Sequence, residues 1–207
     1  MTDGSILVGG VRVGPSTAER LRHHVAELVR WNQAINLVAA STLPDAWERH
    51  VADSAQLVPL GPVNPARWAD LGSGAGFPGL AVAIILAETS PETCVTLIES
   101  DRRKATFLRE VARQLGLIIT VLAERAEAAE PLGANVVSAR ALAPLEVLIP
   151  MAARHLTAEG TMLFPKGTSV DKELATAAVT WSFSVERVPS KTSVSAEILR
   201  MKDLRHV

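Results

Sequence analysis

The segment Asp70-Leu71-Gly72-Ser73-Gly74-Ala75-Gly76-Phe77-Pro78-Gly79 carries four glycines in eight positions. It continues the short apolar stretch that starts at Trp68 and leads into the apolar run Leu80–Leu86. Glycine lacks a Cβ, so such a loop turns sharply and lets a ligand approach its backbone. A strand, a glycine loop and a helix in succession gather backbone N–H groups and a helix N-terminus around one point, which suits a nucleotide-like cofactor. Asp70, two residues ahead of the first glycine, refines the reading. A carboxylate at a strand tip accepts from cationic or hydroxyl groups and repels a neighbouring pyrophosphate. Asp-x-Gly-x-Gly-x-Gly therefore points to S-adenosylmethionine, which carries an ammonium, a sulfonium and no phosphate.

Glu99 ends the apolar run Val95–Ile98, twenty residues beyond Gly79. An acid at the tip of the second strand is placed to accept from ribose hydroxyls in a doubly wound sheet. Gly74–Gly79 also fits the G-x-G-x-x-G spacing of dinucleotide-binding proteins, so an NAD-dependent oxidoreductase is the competing reading. Asp70, the additional Gly72 and the lack of a second domain for a hydride acceptor weigh against it. Further along, Glu124-Arg125-Ala126-Glu127 follows a third strand and would lie near an adenine, although a surface helix start reads equally well. Ser138-Ala139-Arg140-Ala141 follows a fourth strand, where a methyl acceptor would sit; Arg140 there suits an anion or a stacked base, or else a surface ion pair. Lys166, in Pro165-Lys166-Gly167 after a fifth strand, is placed for a phosphate or is a solvated lysine. His50 and Asp53 are three apart, on one helical face, and read as a hydrogen-bonded pair sealing two parts of the chain together. No histidine, His155 and His206 included, has the spacing of a metal site, and no metal is expected.

These residues require a frame. Residues 1–14 read as a loose or docked arm, and residues 15–60 as helical, with starts at Pro15-Ser16-Thr17 and again at Thr42-x-Pro44-Asp45. Pro59, Gly61, Pro62 and Pro65 break the pattern, so we divide the chain into an arm and helical cap over 1–65 and a cofactor-binding domain over 66–207. From Trp68 the pattern alternates: strands near 68–71, 94–98, 118–122, 135–138 and 161–164, with helices near 78–87, 103–115 and 145–155. Such alternation predicts an α/β fold, a parallel sheet covered on both faces. The stretches Phe183–Val188 and Ile198–Met201 leave little room between them for a helix and predict an antiparallel edge pair.

Composition narrows the class. The chain has 207 residues, 48% of them hydrophobic, enough for a sizeable core. No apolar run approaches the roughly 18–20 residues that span a bilayer, so no membrane partner is expected. No basic segment followed by an apolar stretch marks a secretory signal. Cys94 is the sole cysteine and reads as a small core residue of a cytoplasmic protein. The formal net charge of −1 gives no general support to a nucleic-acid partner, although Arg102, Arg103, Lys104, Arg109 and Arg113 cluster; a solvated helix face accounts for them.

Together these motifs resemble the bacterial 16S ribosomal RNA guanine-N7 methyltransferases, the glucose-inhibited division protein B family. The resemblance runs from about Trp31 to Gly167. It rests on Trp31-Asn32 with Asn36-Leu37, Arg49-His50-x-x-Asp53-Ser54, the glycine loop with its Phe77-Pro78-Gly79 ending, Glu99-Ser100-x-x-Arg103-Lys104-x-x-Phe107-Leu108, Ser138–Ala141 and Lys166-Gly167. It implies a class I methyltransferase fold, a Rossmann-like, mostly parallel seven-stranded sheet with helices on both faces, an antiparallel edge and an N-terminal helical extension. It implies S-adenosylmethionine as cofactor, with contacts on Gly72, Phe77, Ala126, Glu127 and Arg140, to which the loop reading adds Asp70, Ser73, Gly74, Gly76 and Glu99. RNA-facing positions fall on Arg125, Arg140 and Lys166. The implied reaction is methylation of guanine N7 in 16S rRNA of the small subunit or its assembly intermediate, by a cytoplasmic monomer. Guanine N7 has an in-plane lone pair and no proton to lose, so no general base is assigned, and Arg140 is the candidate for positioning the acceptor. A non-catalytic RNA-binding module on a nucleotide fold is the remaining alternative.

Overall fold

A computed structural model describes residues 4–207; residues 1–3 of the expected arm lie outside the described residues. The rest of the arm is an ordered hairpin, β1 (Ile6–Val8) and β2 (Val11–Val13), docked through the buried Val8 and Val13. Pro15 at the first turn opens α1 (Pro15–Asn32), whose buried stripe Thr17, Ala18, Leu21, His24 and Leu28 repeats at helical spacing. The second helical start expected at Thr42-x-Pro44-Asp45 is followed by a continuous helical segment from Trp47 to Ala55, but most of it is π-helical rather than α-helical. A 3₁₀ turn (Ala40–Thr42) precedes it, the π-helical turn (Trp47–Ala52) continues directly into the single turn α2 (Asp53–Ala55), and another 3₁₀ turn (Val58–Leu60) follows.

The alternating part follows as β3 (Arg67–Leu71), α3 (Gly79–Thr89), β4 (Cys94–Ile98), α4 (Arg102–Gln114), β5 (Ile119–Leu122), β6 (Ala134–Ala139), α5 (Leu145–His155), β7 (Leu156–Lys166), α6 (Val170–Ala177), β8 (Trp181–Pro189) and β9 (Glu197–His206). The seven-stranded sheet runs β5-β4-β3-β6-β7-β9-β8. Strands β3 to β7 pair in parallel, and β9 inserts antiparallel between β7 and β8. The expected antiparallel edge is therefore present, with the last strand inside it. Helix α6 was not anticipated: its polar sequence, Val170-Asp-Lys-Glu-Leu-Ala-Thr-Ala177, buries only Val170 and Ala177 and so lacks a clear apolar stripe. Cys94 is exposed rather than in the core, because it is the first residue of β4.

Helix α4 is amphipathic and capped by Asp101, whose carboxylate accepts from the N–H groups of Arg103 and Lys104. Helix α3 is different. Every residue from Gly79 to Leu86 is buried, so it has no solvent stripe and lies between the sheet on one side and α1 with the cap on the other. One hydrophobic cluster joins Leu21, Leu28, Val51 and Leu57 of the cap to Trp68, Leu80, Ile84 and Phe107. No helix of the described residues is long and apolar enough to cross a membrane.

The start of α3 lies against β3 with almost no clearance. A Cβ on Gly79 would stand 2.5 Å from the Asp70 side chain and 2.5 Å from Leu97 Cδ2. Gly79→Ala should therefore destabilise the protein by about 1–3 kcal/mol, the usual cost of overpacking, although alanine is the better helix former. Urea denaturation measures it; an unchanged or raised midpoint would show that helix and strand can separate without penalty.

Candidate active site

In sequence order the sheet grows from β3 through β4 to β5, then returns to β6 on the other side of β3. The point between β3 and β6 is the topological switch, where crevices open beyond the carboxyl ends of the strands. The glycine loop leaves β3 here and Arg140 leaves β6.

Gly72, Gly74 and Gly76 all have positive φ, at 65°, 53° and 87°, and the Phe77–Pro78 peptide is cis. The loop is braced from three sides. Ser73 N–H donates to the Ile98 carbonyl (3.0 Å). The Glu99 carboxylate accepts from Gly74 N–H (2.8 Å) through one oxygen and from Asp101 N–H (2.7 Å) through the other. The His24 ring, wholly buried, donates from Nε2 to the Ala75 carbonyl (2.8 Å). Burial holds this histidine near pKa 4, so it is neutral at physiological pH.

Beyond the loop lies a cleft of about 250 Å³, lined by Gly72, Ile98, Ser100, Glu124–Glu127, Leu142, Ala143, Val147 and Met151. The Ala126 carbonyl that shapes its wall accepts from the buried His155 Nε2 (2.8 Å). Arg125 is largely exposed and lies 3.7 Å from Glu127. A second cleft, about 480 Å³, is lined by Asp53, Arg140–Pro144, Pro165–Gly167, Glu173 and Ala196. Both clefts share Leu142 and Ala143, so the segment after β6 is the wall between them. Leu142 reaches over the loop: a Cβ on Gly72 would be 2.5 Å from its Cδ1.

Arg140 stands at the second cleft with both Nη groups engaged. It donates to the Arg49 carbonyl (3.0 Å), to Asp53 Oδ2 (3.0 Å) and to His50 Nδ1 (3.1 Å). His50 passes its other ring N–H to Thr42 Oγ1 (3.1 Å). Burial, then the positive charges of Arg140 and Arg49, lower His50 to a pKa of about 4. Under the guanidinium lies Phe77, 5.6 Å from it, stacked between His24 (4.5 Å) and His50 (5.1 Å). Lys166 donates to the Ala143 carbonyl (3.0 Å) and to Glu173 (2.8 Å). Thus His50 and Asp53 do not bond each other as expected; each holds Arg140.

The expected cofactor residues divide. Gly72, Arg125, Ala126 and Glu127 line the smaller cleft. Gly74 and Gly76 shape the loop beneath, and Ser73 is buried in it. Glu99 has spent both oxygens on backbone N–H groups. Phe77 is buried among histidines and lines neither cleft. Arg140 and Lys166 line the larger cleft, both ion-paired. Asp70 is wholly buried: its Oδ1 accepts from Ser138 Oγ (2.6 Å), directly across the β3–β6 register, and its Oδ2 has no hydrogen-bond partner. Burial raises its pKa to about 6, against the opposing Ser138 bond. Sequence reasoning missed Ser100, Leu142, Val147 and Met151, as well as His24 and Thr42.

The family model described as GidB, rRNA small subunit methyltransferase G, matches residues 17–201. The "Ribosomal RNA small subunit methyltransferase G" of Rhodospirillum centenum is 54% identical over 192 residues, covering 93% of this chain and 87% of that protein. Its namesake from Cereibacter sphaeroides is 49% identical over 195 residues, covering 94% and 95%. Among solved structures, TYW2 of M. jannaschii in complex with AdoMet superposes with a TM-score of 0.57 over 76% of each chain at 13% identity, a likeness of fold. The sheet is that of class I, Rossmann-like methyltransferases.

The buried groups set opposing pH dependences. Asp70, with its pKa raised, holds a proton in the native state that the unfolded chain has lost, so its contribution to stability is present at low pH and lost as pH rises through about 6. Asp70→Asn removes this term, and its stability relative to the unsubstituted protein should fall by about 1 kcal/mol between pH 8 and pH 5. His24 and His50 act the other way: the unfolded chain takes up protons near pH 6.5 that the native state refuses until about 4, so stability drops across that window on acidification. Thermal melts from pH 8 to 4.5 check both; a pH-independent difference for Asp70→Asn would mean that Asp70 is ionised throughout.

Proposed function

The chain belongs to the rRNA small subunit methyltransferase G family, and on that premise we propose that it methylates guanine N7 in 16S rRNA, using S-adenosylmethionine. The observation that carries the reading is the pair of clefts meeting at Leu142–Ala143, with Arg140 fixed in the larger one. The smaller cleft is the donor site and the larger the acceptor site.

The donor cleft fits its cofactor. Gly72 lies at the floor of the cleft with positive φ, and a Cβ there would meet Leu142 at 2.5 Å, so its bare backbone is what the cleft presents to a ligand. The cleft wall carries two carboxylates, Glu124 and Glu127, against one cation, Arg125; the carboxylates suit the cation and hydroxyls of S-adenosylmethionine, and this negative balance weighs against a pyrophosphate there. The bound cofactor supplies an electrophilic methyl group. The protein supplies alignment, and near-attack positioning is worth several powers of ten in rate.

The acceptor side has no free base. Asp53 and Glu173 are ion-paired, and His50 is neutral with both ring nitrogens engaged. Such a cleft cannot readily deprotonate an acceptor, and N7 of guanine has no proton to lose. Two carboxylates also suit the cationic base that results. Arg140 orients the base or its phosphate from a fixed position. The reading extends to a monomer acting in the cytoplasm, where the small subunit is assembled.

Incubating the protein with methyl-labelled S-adenosylmethionine and unmethylated small subunits should place label on N7 of one 16S guanine; label on another atom, or none, overturns the reading. Gly72→Asp should abolish cofactor binding by calorimetry, since the added side chain starts 2.5 Å from Leu142. Arg140→Ala should cut turnover about a hundredfold, the scale of a small misplacement of reactants, with cofactor affinity nearly unchanged. Normal turnover in that variant would remove Arg140 from the acceptor site.

A further inference from the structure

We infer that Thr192, in the turn between β8 and β9, is a positioning residue for Arg140, acting through Asp53. The inference rests on the reading of the larger cleft as the acceptor site. Asp53 divides its two oxygens. Oδ2 accepts from Arg140 Nη1 at 3.0 Å, while Oδ1 accepts from Thr192 Oγ1 at 2.9 Å and from Gln56 Nε2 at 3.0 Å. Thr192 lies 139 residues from Asp53 and 52 from Arg140, so neither helix periodicity nor strand register brings them together.

The turn is held in place for this contact. Gln56 clasps it from the cap, donating to Ser190 Oγ (3.1 Å) and accepting from Lys191 N–H (2.9 Å). Within the turn, Ser190 Oγ accepts from Thr192 N–H (3.2 Å), and Ser190 N–H closes on the Ala196 carbonyl (3.0 Å). Ala196 itself lines the larger cleft. A carboxylate anchored at one oxygen cannot rotate without breaking that anchor, so Oδ2 stays aimed at Arg140. The side chains of Arg140 and Asp53 retain only 18% and 16% of their exposure, leaving little water to replace a lost partner. The hydroxyl of Thr192 has no part in the sheet or in the hydrophobic core; it also meets Ser190 Oγ (3.0 Å) and Gln56 Nε2 (3.4 Å), and Asp53 is its one charged partner.

Thr192→Val keeps the shape of the side chain and removes the hydroxyl, whereas Thr192→Ser keeps the donor. In the full-length protein, Thr192→Val should lower kcat/KM for unmethylated small subunits about tenfold, as expected for one hydrogen bond to a charged group. Affinity for S-adenosylmethionine should not change, and Thr192→Ser should restore turnover. A second readout does not depend on activity: the Arg140 guanidinium signal in ¹⁵N spectra, assigned against Arg140→Lys, should broaden in Thr192→Val and sharpen again in Thr192→Ser. Unchanged turnover together with an unchanged signal overturns the inference. So does a parallel loss of cofactor affinity and melting temperature, which would mark Thr192 as a staple of the cap only. Should the unsubstituted protein leave small subunits unmethylated, the functional reading fails, and the guanidinium signal still decides the role of Thr192.

Discussion

A guanidinium carries five N–H donors in a rigid fork and cannot shed its charge, so Arg140 must find acceptors once it leaves the sheltered end of β6. The acceptors it finds are all in the cap: the Arg49 carbonyl, His50 Nδ1 and Asp53 Oδ2. That set fixes more than one side chain. The irregular passage through the π-helical turn and α2 is what presents a carbonyl, an imidazole and a carboxylate to one point; a regular helix sends its carbonyls along its own axis. Withdrawing one partner from such a half-enclosed pair leaves the other charge poorly solvated, so the arrangement acts as a register between cap and sheet rather than as a source of stability.

The same register reaches the glycine loop. Phe77 lies below the guanidinium, and its ring is stacked between His50 of the cap and His24 of α1. Both histidines are held neutral, so neither repels Arg140 nor demands a counterion in the interior. His24 then grips the Ala75 carbonyl from beneath, while Glu99 grips Gly74 from β4. The loop can use left-handed glycines, which are costly in conformational freedom, because rigid neighbours on three sides hold the one conformation. His155 does for the Ala126 carbonyl what His24 does for Ala75.

Legibility in the sequence followed range. The alternation from Trp68 onward was readable because each element shows its period locally, and so were the glycine loop and the acid at Glu99. The antiparallel edge was readable from the short gap between two β-prone stretches, but not the insertion of β9 beside β7, which is a matter of pairing rather than pattern. The start signal at Thr42, Pro44 and Asp45 does lead into a helical segment, but its π-helical winding was not legible, since the carbonyl, ring and carboxylate it presents meet Arg140 about ninety positions away. Within the site, positions were legible and duties were not. Glu99 and Asp70 are acids at strand tips, yet nearby donors of the protein itself occupy Glu99 and one oxygen of Asp70. Leu142 gave no signal at all; an aliphatic residue after a strand acquires meaning only when two clefts meet at it.

The charge layout of the larger cleft bears on how a polyanion could be recognised there. Its two cations, Arg140 and Lys166, each face a carboxylate, Asp53 and Glu173, so the cleft is close to neutral as built. A chain with a formal net charge of −1 adds no long-range attraction. Neutralised cations hold few counterions, and the release of counterions is what makes phosphate contacts strong at low salt. On the proposed reading, affinity for RNA then comes from exposed charges outside this cleft and from the shape of the surface presented. Inside the cleft, paired cations suit a different end: held at fixed points by their own counterions, Arg140 and Lys166 would, on the proposed reading, orient a base rather than gather phosphates, which separates positioning from specificity.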